Sequence, residues 1–238
     1  MELKILSFNI HHGKGLDKRV NLGRIANIIK RSKADIIGLN EVDVSFGKRS
    51  QFLNQAAILA EQLEMEFVFG PVITRKKSDK TTGEYGNVLL SRIKMRSHEN
   101  HLLYSHSYLA EPRGLLEVNF EISGKVISAF VTHLSINPFL QRKQIMDIET
   151  IVQRKSNVIL MGDFNMSPVS RNHSYIGKIL KDSSETESGY TYPANKPRKK
   201  LDYIFIQGDI TVVESKVVTM DPVASDHLPL LTKIIIDE

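Results

Sequence analysis

Apolar positions along this chain follow two rhythms. Short runs rich in β-branched and aromatic side chains read as strands: LKILSFNI (3–10), ADIIGLNEVD (34–43), FVFGPV (67–72), YGNVLLSR (85–92), LLEVNFEI (115–122) and KVISAFVTHL (125–134). DYIFIQ (202–207), ITVVESKVVT (210–219) and LPLLTKIII (228–236) continue the series. Between the first two strands, NLGRIANIIKRS puts Leu22, Ile25, Ile28 and Ile29 at helical spacing, so the chain opens strand, helix, strand. A second helix is predicted over QFLNQAAILAEQL (51–63), capped by Ser50, with Phe52, Ala56, Leu59, Ala60 and Leu63 on one side. A third covers NPFLQRKQIMDIETIVQR (137–154), and Ser123–Gly124 marks a hairpin turn. Many strands with few helices predict an α+β sandwich, two packed β-sheets with helices outside.

Composition narrows this picture. With 238 residues, 41% hydrophobic and 25% charged, the expectation is one globular domain over 1–238. The absence of cysteine excludes disulfides, thiolate metal sites and cysteine nucleophiles. No signal-like leader or bilayer-length apolar run is present, so a soluble, cytoplasmic protein with no transmembrane segment and no obligate protein partner is expected. A formal charge of +5 mildly favours polyanionic partners. Much of the excess lies in RKKSDK (75–80) and KPRKK (196–200), which read as solvated loops or as steering groups for a phosphate substrate.

The run NVILMGDFN (157–165) raises the chemical question, because a carboxylate and an amide at the end of a buried strand are costly without partners. The pattern recurs. Asn9, Glu41, His133, Asp163 and Asn165, and the pair Asp226–His227, all stand beside apolar strands. Asp202 opens one, and an antiparallel strand would start where its neighbour finishes, so all of these groups can share one rim. Their oxygen donors suit a hard cation, Mg2+ or Mn2+, better than zinc; Glu41 is the first-choice ligand. His227 supplies a base near neutrality and Asp202 a group to orient it, while no GxSxG nucleophile is present. These are components for hydrolysis of a phosphate ester by water.

In order, LSFNIHHG, GLNEVD, EYGNVLLSR, FVTHL, LMGDFNMSP, KKLDYIFI and SDHLPL resemble the endonuclease/exonuclease/phosphatase superfamily over nearly the whole chain. The resemblance implies a four-layer α/β sandwich, helices on both outer sides, and divalent-metal-dependent phosphoester hydrolysis. It implies Asn9 and Glu41 at the metal, with Asp226 a further ligand candidate. Asp163 and Asn165 would position nucleophile and phosphate, His133 would contact phosphate, and His227 would act as base or phosphate ligand with Asp202 orienting it. The chain lacks the Trp and Cys motifs of the inositol polyphosphate 5-phosphatases. EPRG, YTYP and FGKRSQFLNQA look more like a bacterial branch.

Other residues carry two readings each. Arg113 can contact phosphate or pair with Glu111, and Asn87 and Glu84 can join the site, although a turn accounts for Gly83 and Gly86. His11–His12 reads as loop entry rather than a metal loop. His98, His101 and His106 read as a solvated or substrate-side loop rather than zinc ligands. In NHLLYSHSYL, Leu102, Leu103, Tyr104, Tyr108 and Leu109 form either a membrane-facing loop or a buried strand. The expected substrate is a phosphodiester in nucleic acid, phospholipid or a small molecule. A phosphomonoesterase and a non-catalytic nucleic-acid-binding scaffold are the alternatives.

Overall fold

The computed structural model describes residues 1–76, 80–105, 110–184 and 189–236. Local capping chemistry sets the helix starts. The Asn21 side chain accepts from the Arg24 amide to open α1 (Leu22–Ser32), Asn54 accepts from Ala57 to open α2 (Gln55–Leu63), and Asn137, followed by a proline in the first turn, opens α3 (Pro138–Val152). Ser170 caps the short α4 (Arg171–Ile176), which sequence periodicity did not indicate. Each such cap contributes about 1 kcal/mol. The second helix therefore starts at Asn54 and not at Ser50. Gln51 and Phe52 both take left-handed φ, which a continuous helix cannot contain.

Among the described residues the strands are β1 (Glu2–Asn9), β2 (Ile36–Val44), β3 (Glu66–Lys76), β4 (Thr82–Ser91), β5 (Ser97–Leu102) and β6 (Gly114–Ile122). They continue as β7 (Lys125–His133), β8 (Asn157–Asp163), β9 (Lys181–Asp182), β10 (Asp202–Gln207), β11 (Ile210–Val217) and β12 (Leu230–Ile236). They form two six-stranded sheets, ordered β11-β12-β1-β2-β4-β3 and β5-β6-β7-β8-β10-β9. In each sheet one central pair is parallel, β1 with β2 and β7 with β8, and the remaining neighbours are antiparallel. β5, SHENHL, is an exposed and half-buried polar edge strand whose sequence offers no apolar alternation.

Three apolar layers hold the sandwich together. Between the sheets, Ile5, Ile36 and Leu89 meet Val131, Met161 and Ile204. On one outer face α1 and α2 bury Ile25, Ile29 and Leu59 against Phe8 and Leu39. On the other, α3 and α4 bury Ile145, Ile148 and Ile176 against Phe130 and Leu160. The arrangement is the four-layer α/β sandwich with helices on both outer sides.

Two glycines mark close backbone approaches near one rim. At Gly162, φ is +147° and a Cβ would stand 1.8 Å from the Thr132 carbonyl oxygen, so only glycine fits beside β7. At Gly86 a Cβ would meet the Gly70 carbonyl oxygen at 2.1 Å. Gly83 and Gly86 lie inside β4 and not in a turn; the narrow approach of β3 is the reason for Gly86.

Candidate active site

Strand pairing brings the polar strand ends together. In the parallel pairs Asn9 stands beside Asn40 and His133 beside Asp163, while antiparallel β10 starts with Asp202 opposite Asp163. β12 runs antiparallel to β1, so the segment before it carries Asp226 and His227 to the same rim. Glu41 is turned out of β2 at a bulge between Leu39 and Val42, with φ of 58°. Bulges and left-handed non-glycine residues of this kind re-aim side chains at functional sites.

The groups form one connected network. His227 Nδ1 lies 2.8 Å from Asp202 Oδ2, and its Nε2 lies 3.6 Å from Asp163 Oδ2. His133 Nε2 is also 3.6 Å from that oxygen. Asn9 Nδ2 donates to both Glu41 Oε1 and Asp163 Oδ2, each at 3.0 Å. The Asn165 amide N–H donates to Asp163 Oδ1 at 2.9 Å, and its side-chain Nδ2 donates to the Leu134 carbonyl at 3.0 Å and stands 3.0 Å from His133 Nε2. Asp226 Oδ1 lies 3.7 Å from His11 Nδ1.

Burial decides the charge states. Loss of water pushes the Asp163 carboxyl up to about 7, with the Asp202 charge adding to the rise and His227 opposing it. Burial alone would lower His227, but the carboxylates of Asp202 and Asp163 outweigh it and raise the imidazole to about 10. His133 falls well below the ordinary imidazole range through burial, assisted by Arg113 and His227. His12 falls to about 4 through burial, with His11 and Arg49 adding to the effect.

Two residues absent from the sequence-based set belong to this network. Asn40 spans the sheets: its Oδ1 accepts from the Asp163 N–H at 2.9 Å, and its Nδ2 donates to Asn87 Oδ1 and the Thr132 carbonyl, both at 2.9 Å. Ser225 Oγ donates to the Asn9 carbonyl at 2.8 Å and accepts from the His227 N–H at 3.3 Å. The signal for Asn40 was available, since a buried amide within an apolar strand is as costly as the acid in GDFN.

The remaining candidates divide. Asn87 is buried, donates to the Gly114 carbonyl at 3.2 Å, and lines a small recess with Glu41, Tyr85, Arg113 and His133. Arg113 pairs with Glu111 at 2.9 Å and lines the same recess. Glu84 accepts from Thr74 on the neighbouring strand and does not line that recess. His98 is exposed, and His101 lies between Glu117 at 3.0 Å and Glu99 at 3.6 Å. His106, Tyr108 and Leu109, with positions 77–79 of the first basic cluster, lie outside the described residues. Leu103 is buried beneath α3, Tyr104 is half-buried and Leu102 is exposed.

A sandwich of two mixed sheets, with helices outside and a rim of acids, amides and imidazoles, is the architecture of a class of phosphoester hydrolases. The chain belongs to the endonuclease/exonuclease/phosphatase family, whose sequence model matches residues 6–227. Members of this family are divalent-metal-dependent phosphoester hydrolases. Among solved structures, it is similar to an endonuclease/exonuclease/phosphatase from Beutenbergia cavernae DSM 12333 (TM-score 0.87, 24% identity, covering 99% of this chain and 72% of the other). It is also similar to a mannosyl-6-phosphatase of Bacteroides thetaiotaomicron VPI-5482 (TM-score 0.77, 20% identity, 98% and 99% covered). A third likeness is to the human Nocturnin catalytic domain with bound sulfate anion (TM-score 0.71, 17% identity, 99% and 95% covered). No curated protein sequence matches it significantly. No helix among the described residues is long and apolar enough to cross a membrane.

Proposed function

We propose that the chain, acting as a single domain over 1–238, is a metal-dependent phosphodiesterase with an Asp-His pair in which Asp163 accepts a proton from water and a protonated His227 stands beside it. The observation that carries this reading is the buried Asp202–His227–Asp163 row, with the Asp202 to His227 bond at 2.8 Å and Glu41 linked to the same row through Asn9.

Asp163, pushed up to about 7, is matched to accept a proton from water near neutral pH. His227, raised to about 10, stays protonated between two carboxylates and offers a positive N–H to a phosphoryl oxygen. This divides the labour differently from a simple His227 base oriented by Asp202, while retaining both residues. His133, held neutral by burial, the Asn165 amide and the Arg113 guanidinium supply further contacts to the phosphate.

The donor set fits a hard cation. Glu41 is half-buried, and one of its carboxylate oxygens is engaged by Asn9. Asn9 presents nitrogen to Glu41 and Asp163, while its Oδ1 accepts from the His11 N–H at 3.0 Å and keeps a second lone pair for a cation. Mg2+ or Mn2+ held by Glu41, Asn9 and Asp226 would supply Lewis-acid polarisation of the phosphoryl group.

Space on one flank leaves room for the second substituent of a diester. Beside Asn165, a cleft of about 590 Å³ is lined by Asn165, Ser167, Tyr190, Arg198, Lys199 and Leu201. That volume suits one substituent of the phosphate. Exposed Arg198 and Lys199 favour a nucleic-acid or nucleotide diester over a lipid, and burial of Leu103 removes part of the apolar loop that a lipid enzyme would use. Because one similar structure is a mannosyl-6-phosphatase, a sugar phosphate monoester is the second reading.

The test is hydrolysis of bis-(p-nitrophenyl) phosphate against p-nitrophenyl phosphate, with Mg2+, Mn2+ or chelator. Diester cleavage that needs metal and falls by about 10²–10⁴ in Asp163→Asn and His227→Ala is expected. Preference for the monoester selects the second reading. Activity retained in both variants refutes the assignment.

A further inference from the structure

The His11–His12 doublet is not used by the scheme above, and its geometry is costly. Both residues take left-handed φ, 45° and 44°, a conformation that costs a non-glycine residue about 1–2 kcal/mol. The two rings are packed edge to face with centroids 4.5 Å apart. Glu41 completes a cluster in which one ligand-type atom from each residue lies within 4.8 Å of the others. His12 is only 7% exposed, and its Nδ1 is buried without a hydrogen-bond partner. Three consecutive costs therefore meet in one place: two bent backbones and an unpaired imidazole nitrogen.

The surroundings hold this arrangement firmly. Gln55 Nε2 donates to the His12 carbonyl at 2.7 Å, and its Oε1 accepts from the Asp43 N–H at 3.0 Å. Arg49, the nearby cation, is held by buried Asp43 through two bonds of 2.9 and 2.7 Å, which offsets its charge locally. Asp226 Oδ1 lies 3.7 Å from His11 Nδ1, beside the cluster.

We propose that His11, His12 and Glu41 bind a divalent transition-metal ion at a mixed nitrogen and oxygen site, sharing Glu41 with the all-oxygen set that serves Mg2+. The inference rests on the reading of Glu41 as a metal ligand. Imidazole donors favour Mn2+, Co2+ or Zn2+ over Mg2+, which prefers oxygen and retained water. The doublet thus adds a metal preference that the oxygen donors alone would not give.

The experiment is Mn2+ and Mg2+ binding by calorimetry, with pulsed electron paramagnetic resonance of bound Mn2+ to detect nitrogen ligands. Wild type is compared with His11→Ala, His12→Gln and Glu41→Gln, and circular dichroism checks folding. His11 is partly exposed, so His11→Ala keeps the test open if the buried His12→Gln fails to fold. A nitrogen signal in wild type is expected. In each histidine variant the signal weakens and Mn2+ affinity falls about tenfold or more, with Mg2+ affinity changed less than about twofold. A signal absent from wild type, or unchanged in both histidine variants, overturns the proposal. If Glu41→Gln abolishes Mg2+ binding while the histidine variants change nothing, the catalytic reading of Glu41 stands and the histidine site falls. If Glu41→Gln leaves Mg2+ binding intact, the catalytic assignment of Glu41 fails, and the shared site fails with it.

Discussion

The two sheets are wound in the same way but filled differently where they meet the rim. β1, β2 and β4 of the first sheet correspond in position to β7, β8 and β10 of the second. At matching points the first carries Asn9, Asn40 and Asn87, and the second carries His133, Asp163 and Asp202. Three neutral amides thus face three titratable groups. The amides donate and accept within a buried space without adding charge: Asn9 donates to the Glu41 and Asp163 carboxylates, Asn40 holds the Asp163 main-chain N–H, and Asn87 accepts from Asn40. Glu41, turned out at the bulge in β2, adds a carboxylate on the first sheet's side of the rim, and the segment leading into β12 adds Asp226 and His227.

The sharpest break in this comparison is to neutralise the second sheet. Asp163→Asn keeps shape and removes charge, so activity should fall by about 10²–10⁴ in a steady-state diester assay while urea denaturation shows stability unchanged or improved. The converse change lies on the first sheet. Asn40→Ala leaves the Asp163 N–H, the Thr132 carbonyl and Asn87 Oδ1 each short of a partner, and should cost about 3 kcal/mol in the same denaturation experiment. If both variants lose stability equally, the division between bracing amides and reactive groups is wrong.

A smaller effect separates structural from reactive acids within the second sheet. Burial tends to raise Asp182, but His173 at 3.2 Å, Lys200 at 2.7 Å and the Ser184 N–H at 2.9 Å pull it down to about 2. A depressed carboxyl contributes stability above its unfolded value near 4 and loses it as pH falls toward 2. Acid denaturation should therefore show about 2 kcal/mol lost across that window, absent in Asp182→Asn. Asp163 behaves in the opposite sense. If its ionised form accepts the proton, kcat/KM rises about tenfold per pH unit below about 7 and levels off above it, then falls as His227 loses its proton near 10.

Much of this site was legible in the chain because polar residues at the ends of apolar runs are costly, and Asp163, Asn165, His133, Asp202 and His227 all announce themselves that way. Their roles were less legible. Whether His227 is a base or a held cation depends on two carboxylates brought from β8 and β10, which no local pattern reveals. The role of Asn40 is hidden in the chain because two of its three partners, the Thr132 carbonyl and the Asp163 N–H, come from the opposite sheet. The fold shows the same limit. Helix α1 followed from its apolar spacing, but the start of α2 was displaced by left-handed residues, and edge strand β5 carries no apolar alternation to read.

β1 is flanked on one side by β2, which follows within a few dozen residues, and on the other by β12, which arrives more than two hundred residues later. A nascent chain can therefore build the β1–α1–β2 unit early, with Asn9 and Glu41 in place. Its opposite edge stays open until residues 230–236 emerge and pair. Such a long-range closure is slow and exposes a strand edge while it waits. His227 rides directly ahead of that closing strand, and Ser225 pins it to the Asn9 carbonyl. Incomplete chains thus carry the carboxylates without the imidazole, so on the proposed scheme they remain inert until the last zippering step joins the two ends of the fold.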